Sequence, residues 1–248
     1  MSYTIPKSLL SVDTNAKTIK GVKYGFMTAI LYMAPSNLSG YQVCPMAAIA
    51  GCESACLNTA GLGGVYVSIQ MARINRVKYF MENREGFMLQ IAQEIETLKA
   101  KAATIGYTLI VRLNGTSDIK WENIGFCGFD NIMELHDDIT FYDYTKIANR
   151  VNLPGNYDLT FSYSGVLKYQ KYVNIAIKNK MRIAVVFRTR KNIPNTFLGL
   201  QCIDGDDSDV RHIEPQNTVV ALYAKGKARS DMTGFVVDSA YRSIPLFA

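Results

Sequence analysis

The chain has 248 residues, 48% hydrophobic and 19% charged, with 27 Lys and Arg against 21 Asp and Glu, a net charge of +6 and a pI near 9.0. That is the composition of a globular chain forming one large domain or two small ones, and it excludes a disordered one. The longest apolar run, Phe26 to Ala34, is far short of the ~20 residues of a membrane span, and no signal-peptide core precedes it, so the expected location is the cytoplasm, away from membrane.

In chain order, the first strong element is "YGFMTAILYMAP", which reads as a buried strand stopping at Pro35. A Gly/Ala-rich stretch follows, "VCPMAAIAGCESACLNTAGLGG" from Val43 to Gly64, and it carries three of the five cysteines. Between Val67 and Ala103 apolar residues recur at helical spacing, with a break predicted at Gly86. Strand-like runs then arrive one after another: "YTLIVRL", "DITFYDY", "YDLTFSYS", "RIAVVFR", "FLGLQCI" and "TVVALYA". "TKIANRVN" and "SGVLKYQKYVNIAIKN" are the candidate helices between them. No repeat or linker divides the chain, so the expectation is one α/β domain over residues 1–248 with a cysteine-rich loop at about 35–64.

Repeated βα units predict a mainly parallel sheet, open or curled into a partial or complete TIM-like barrel. In either form chemistry collects beyond the C-terminal ends of the strands. By that rule Asn114, Ser117, Asp118, Asp143, Lys146, Ser162, Ser164, Asp204 and Lys225 are pocket candidates on the rim that also carries the cysteine loop.

A reducing compartment and an odd cysteine count argue against disulfides and for a metal site, with redox or plainly packed thiols as the alternative. Cys44, Cys52 and Cys56 have the spacing C-x7-C-x3-C. On a helix Cys52 and Cys56 share a face, with Cβ atoms ~6 Å apart. Cys44 reaches the same centre only if the chain bends, and Gly51 is the predicted bend. Three thiolates suit a [4Fe-4S] cluster and leave one iron open; Cys127 and Cys202 are each either a fourth ligand or a small buried hydrophobe. Zinc is the competing metal, but the only histidines, His136 and His212, lie far from the thiols in sequence, and paired zinc knuckles are absent.

Other groupings carry two readings each. "RLNGTSDIKWE" either orients a ligand or forms an Asx-type turn before a helix. Asp143 and Lys146 of "FYDYTK" form a ligand-binding pair or an ion pair. Asp204, Asp206 and Asp209 of "DGDDSD" bind Mg²⁺ or make a turn. No acidic residue lies between Asp158 and Asp204, while Lys168, Lys171, Lys178, Lys180, Arg182, Arg188, Arg190 and Lys191 all do. This Lys168–Lys191 region is a solvated face or a surface for nucleic acid or another acidic partner. P-loop, nucleophile-elbow and dinucleotide motifs are absent.

The set "APSNLSGYQVCPMAAIAGCESACLNTAGLGG", "RLNGTSDIKWE", "FYDYTK", "LTFSYSG", "DGDDSDVR" and "LYAKGKA" resembles a family of tailed-bacteriophage proteins, gene product eighty-eight, from Tyr24 to Lys227. The resemblance implies a phage-encoded protein acting in the infected bacterial cytoplasm, with the three cysteines as iron–sulfur ligands and no particular reaction. A more distant pattern is similar to radical S-adenosylmethionine enzymes, which also place three cysteines after the first strand of a βα barrel. The chain departs from their C-x3-C-x2-C spacing and lacks their Gly-Gly-Glu-like stretch. The functional expectation is an iron–sulfur protein with redox or radical chemistry, S-adenosylmethionine being the candidate second cofactor. The alternative is a non-catalytic phage protein with a structural or sensory cluster that binds nucleic acid or a host protein through a basic surface.

Overall fold

A computed structural model describes residues 3–12 and 21–238. Nine strands form a mostly parallel sheet: β1 Leu10–Val12, β2 Phe26–Leu31, β3 Thr108–Arg112, β4 Thr140–Thr145, β5 Tyr157–Ser162, β6 Arg182–Phe187, β7 Thr196–Phe197, β8 Leu200–Asp204 and β9 Val219–Tyr223. Their order is β1-β2-β3-β4-β5-β6-β9-β8-β7, and among the described residues no pairing closes it. The helices are α1 Leu62–Val65, α2 Val67–Glu82, α3 Arg84–Thr104, α4 Ile132–Leu135 and α5 Gln170–Lys178. No helix among the described residues is long and apolar enough to cross a membrane.

Contacts divide the chain into two compact units, each assembled from separated segments. Unit 1 comprises Met1–Cys44, Tyr66–Asp143 and Asn152–Asp158; unit 2 comprises Pro45–Val65, Tyr144–Val151 and Leu159–Ala248.

In unit 1, β2 runs parallel to β3 with Phe26 opposite Thr108, and β1 is antiparallel to β2 with Leu10 opposite Leu31. The first strand is held at its open end by Glu94 of α3, whose carboxylate accepts the backbone N–H groups of Leu9 (2.8 Å) and Leu10 (2.8 Å). An aromatic cluster joins the two long helices to the turn after β3: Trp121 is fully buried, with Phe80 5.1 Å and Phe87 6.3 Å from it between ring centroids. The helical stretch does break, but at Asn83 and not at Gly86. Asn83 ends α2 by donating its N–H to Tyr79 O at 2.9 Å, and its side chain accepts the Gly86 N–H at 3.0 Å to start α3. A short polar side chain that satisfies an orphan donor starts a helix better than a glycine interrupts one.

In unit 2, β5, β6, β9 and β8 are mutually parallel neighbours, with Thr160 opposite Arg182 and Ile183 opposite Val219. "FLGLQCI" is a hairpin and not one strand: Leu198 (φ 55°) and Gly199 (φ 74°) turn β7 back on β8. Helix α5 buries Val173 and Ala176 against Ile183, Val185, Val219 and Ala221. "TKIANRVN" forms no helix after β4. Thr145 Oγ1 accepts the Ile147 N–H at 3.0 Å, a local turn that competes with helical bonding.

Candidate functional site

The predicted pocket residues fall into two groups, one in each unit. In unit 1, Asp143 of β4 is fully buried and accepts the backbone N–H of Asn114 (2.9 Å) and of Leu113 (3.3 Å), and the hydroxyl of Tyr157 (3.1 Å). Asn114 Oδ1 accepts from Ser117 Oγ (2.9 Å), Ile119 N (2.9 Å) and Trp121 Nε1 (3.2 Å), while its Nδ2 donates to Ile119 O at 2.9 Å. The amide thus fastens the 114–121 loop to the end of β3. Asp118 N donates to Val43 O at 2.8 Å, and Cys44 Sγ lies 3.8 Å from Thr116 O. Asn114, Ser117, Asp118 and Asp143 therefore do come together, next to Cys44, with the Asn114 amide engaged in holding the loop.

In unit 2, Lys146 is 9% exposed and gives its ammonium protons to Ser162 O (2.9 Å), Ser162 Oγ (2.9 Å) and Tyr163 O (3.1 Å). Its nitrogen also lies 4.7 Å from the Phe235 ring centroid. Ser164 Oγ donates to Ala50 O at 2.6 Å, which seats the cysteine loop just past the end of β5. Asp204 pairs with Arg190 at 2.6 Å, and Lys225 pairs with Asp206 at 2.5 Å. The aspartate run is built as a turn, since Asp206 N donates to Asp204 Oδ1 at 2.8 Å.

The cysteine loop, Pro45–Val65, is irregular except for a 3-10 turn at Leu57–Thr59 and the single turn of α1. Gly51, the predicted bend, has φ +66°, and a Cβ there would sit 2.8 Å from Thr233 Oγ1. Cys56 precedes the 3-10 turn and its sulfur accepts the Asn58 N–H at 3.4 Å. Cys52 Sγ lies 3.8 Å from Ala47 O and packs on Ala55, Ala224, Ala228 and Phe235. All three thiols are half-buried. Among the described residues no three His, Cys, Asp or Glu side chains are grouped to hold a metal ion.

The remaining cysteines differ sharply. Cys127 is exposed in a tight turn between Phe126 and Phe129, with φ +51°. Cys202 sits in β8 against the unit 2 core, and burial pushes its thiol up to about 11, the behaviour of a small hydrophobe. Arg182, counted with the basic face on sequence, is fully buried and donates to Thr160 Oγ1 (3.0 Å) and Glu214 O (2.6 Å). It cannot meet an outside phosphate. Sequence reading missed Thr233, which supports the loop from 182 positions away, and it counted Arg188 with the basic run without its structural role, in which the guanidinium holds Asp238 (2.9 Å) and Arg229 O (3.0 Å). Neither carries a local motif; only a long-range pairing signal would have marked them.

The gene product 88 family model matches residues 8–239. The chain belongs to the gene product 88 family. The match includes the cysteine loop and segments of both units, in keeping with the bacteriophage resemblance of the motifs. No curated protein and no solved structure matches the chain significantly.

Proposed function

We propose that this gene product 88 protein is an iron–sulfur protein, with Cys44, Cys52 and Cys56 as the protein ligands of a [4Fe-4S] cluster. The observation that carries the reading is the concentration of three of the five cysteines in one short stretch of sequence, Cys44 to Cys56. Soft thiolates are the donors iron–sulfur clusters take, and the bond from Asn58 N–H to Cys56 Sγ is of the kind that supports a thiolate and tunes a cluster. Among the described residues no three donors are grouped, so in this reading cluster insertion is coupled to a rearrangement that brings the thiols together.

With three cysteine ligands, one iron stays available to a second ligand, S-adenosylmethionine being the candidate, and the chemistry supplied is redox or radical. In its finer form the reading takes the sheet as part of a TIM-like barrel and the site of action as the infected host's cytoplasm. The alternative role is non-catalytic: a structural or sensory cluster in a protein that binds nucleic acid or a host protein. Protein purified without oxygen and titrated with S-adenosylmethionine under reduction tests the catalytic form. A changed paramagnetic spectrum supports it; an unchanged spectrum leaves the cluster non-catalytic.

A further inference from the structure

The positive charge of this chain is not shared between its units. Unit 2 holds fifteen Lys and Arg against eight Asp and Glu, whereas unit 1 holds twelve against thirteen. Within unit 2 the parallel strands β5, β6, β9 and β8 end on one edge, so the residues that follow each of them share that edge; of the aspartates at the end of β8, Asp204 is paired with Arg190 and Asp206 with Lys225. Lys168 follows β5, Lys191 follows β6, and Lys227 and Arg229 follow β9. All four are exposed, and none of them forms an ion pair among the described residues. Lys178 and Lys180, by contrast, lie at the end of α5 that leads into β6, on the opposite edge.

Exposed apolar side chains lie near two of these charges in sequence, Leu167 beside Lys168 and Met232 just after Arg229. Leu167 is 83% exposed and Met232 89%. They flank a single backbone contact, Gly165 N to Gly234 O at 2.9 Å. After β9, Lys225 lies 4.6 Å from the Tyr223 ring centroid. The ends of β5, β6 and β9 are neighbours ~4.8 Å apart, so the segments that carry these cations and apolar tips start within roughly 10 Å of one another. Duplex nucleic acid presents phosphates and keeps its base faces stacked inside. A single strand presents both phosphates and unstacked bases.

We infer that the carboxyl edge of unit 2 binds single-stranded nucleic acid, with Lys168, Lys191, Lys227 and Arg229 on its phosphates and Leu167 and Met232 against its bases. The inference gives the non-catalytic reading its ligand and its residues, and it does not depend on the cluster.

Anisotropy of a labelled oligothymidylate, measured over a series of salt concentrations with the full chain, tests it. Lys168→Glu/Lys227→Glu/Arg229→Glu is expected to weaken binding by about tenfold or more and to reduce the salt slope by about 2. Lys178→Glu/Lys180→Glu is expected to change affinity less than about twofold, and duplex of the same length to bind more weakly than the single strand. Leu167→Ser/Met232→Ser is expected to narrow the preference for single strands. Equal losses from the two charge-reversal variants would overturn the inference, as would binding to phosphatidylserine vesicles without binding to the oligonucleotide. Retained oligonucleotide binding by Cys52→Ala supports the surface independently of the cluster. Iron in the preparation without oligonucleotide binding sinks the surface and leaves the cluster reading standing.

Discussion

Thr233 Oγ1 donates to the carbonyl oxygen of Gly51 at 2.9 Å and joins the bend of the cysteine loop to a segment 182 positions later. The same hydroxyl lies 2.8 Å from Asp231 Oδ1 and 3.3 Å from the Phe235 N–H. The loop's shape is therefore fixed by a partner outside it. Thr233→Val is expected to lower stability by about 1 kcal/mol, read as a shift in urea midpoint. Gly51→Ala, which puts a Cβ into this contact at a left-handed φ, is expected to lose at least about 1–2 kcal/mol. Equal midpoints for wild type and Gly51→Ala would show that the bend is not held this way.

Asn114 is the second support. Its side chain makes several bonds that fasten the 114–121 loop to β3 and to Asp143. Asn114→Ala leaves buried donors without partners and is expected to destabilise by roughly 2–4 kcal/mol, with faster exchange of the Ile119 amide. Asn114→Asp is expected to lose the bond to Ile119 O and to set a second carboxylate beside Asp143. Unchanged stability in both variants would contradict the structural role.

The break between α2 and α3 gives a smaller effect. Asn83→Ala removes the acceptor for the Gly86 N–H and is expected to destabilise by about 1 kcal/mol. Loss of helical circular dichroism ahead of the main unfolding transition is the accompanying sign.

Acid stability follows from His136, which is 3% exposed and bonded to Glu96 at 2.8 Å through Nδ1. Burial lowers its pKa, and this outweighs the raising effects of Glu96 and Asp138; nearby Lys99 lowers it further. A folded-state value below the unfolded one means that the unfolded chain binds the proton first. This contribution is fully present above pH about 6.5 and is lost as pH falls through the folded value. The His136 ring resonances are expected to titrate below the ordinary histidine range. Titration at or above that range would reverse the sign.

Legibility in the sequence followed the range of the interactions. The strands β2 to β6 and β9 announce themselves, because a strand covered on both faces is apolar along its length. The hairpin at Leu198–Gly199 was hidden inside one apolar run, and its turn depends on two positive φ angles. "TKIANRVN" has helical composition, yet the Thr145 turn and the Lys146 bonds to the end of β5 settle its path. The grouping of Asn114, Ser117, Asp118 and Asp143 was legible because strand ends collect side chains. What the Asn114 amide does there was not, since its partners lie up to 29 positions away. Arg182 looked like surface charge, and its burial depends on acceptors that lie far away in sequence, the carbonyls of Pro215 and Glu214 and Thr160 Oγ1.

Iron and acid-labile sulfide content of oxygen-free protein, compared between wild type, Cys52→Ala and Cys202→Ala, is the most direct test of the cluster. The account predicts brown wild-type protein with about four iron per chain, the same in Cys202→Ala, and loss of both iron and sulfide in Cys52→Ala. Colourless wild-type protein without iron or sulfide after anaerobic reconstitution would contradict it, and so would an unchanged iron content in Cys52→Ala.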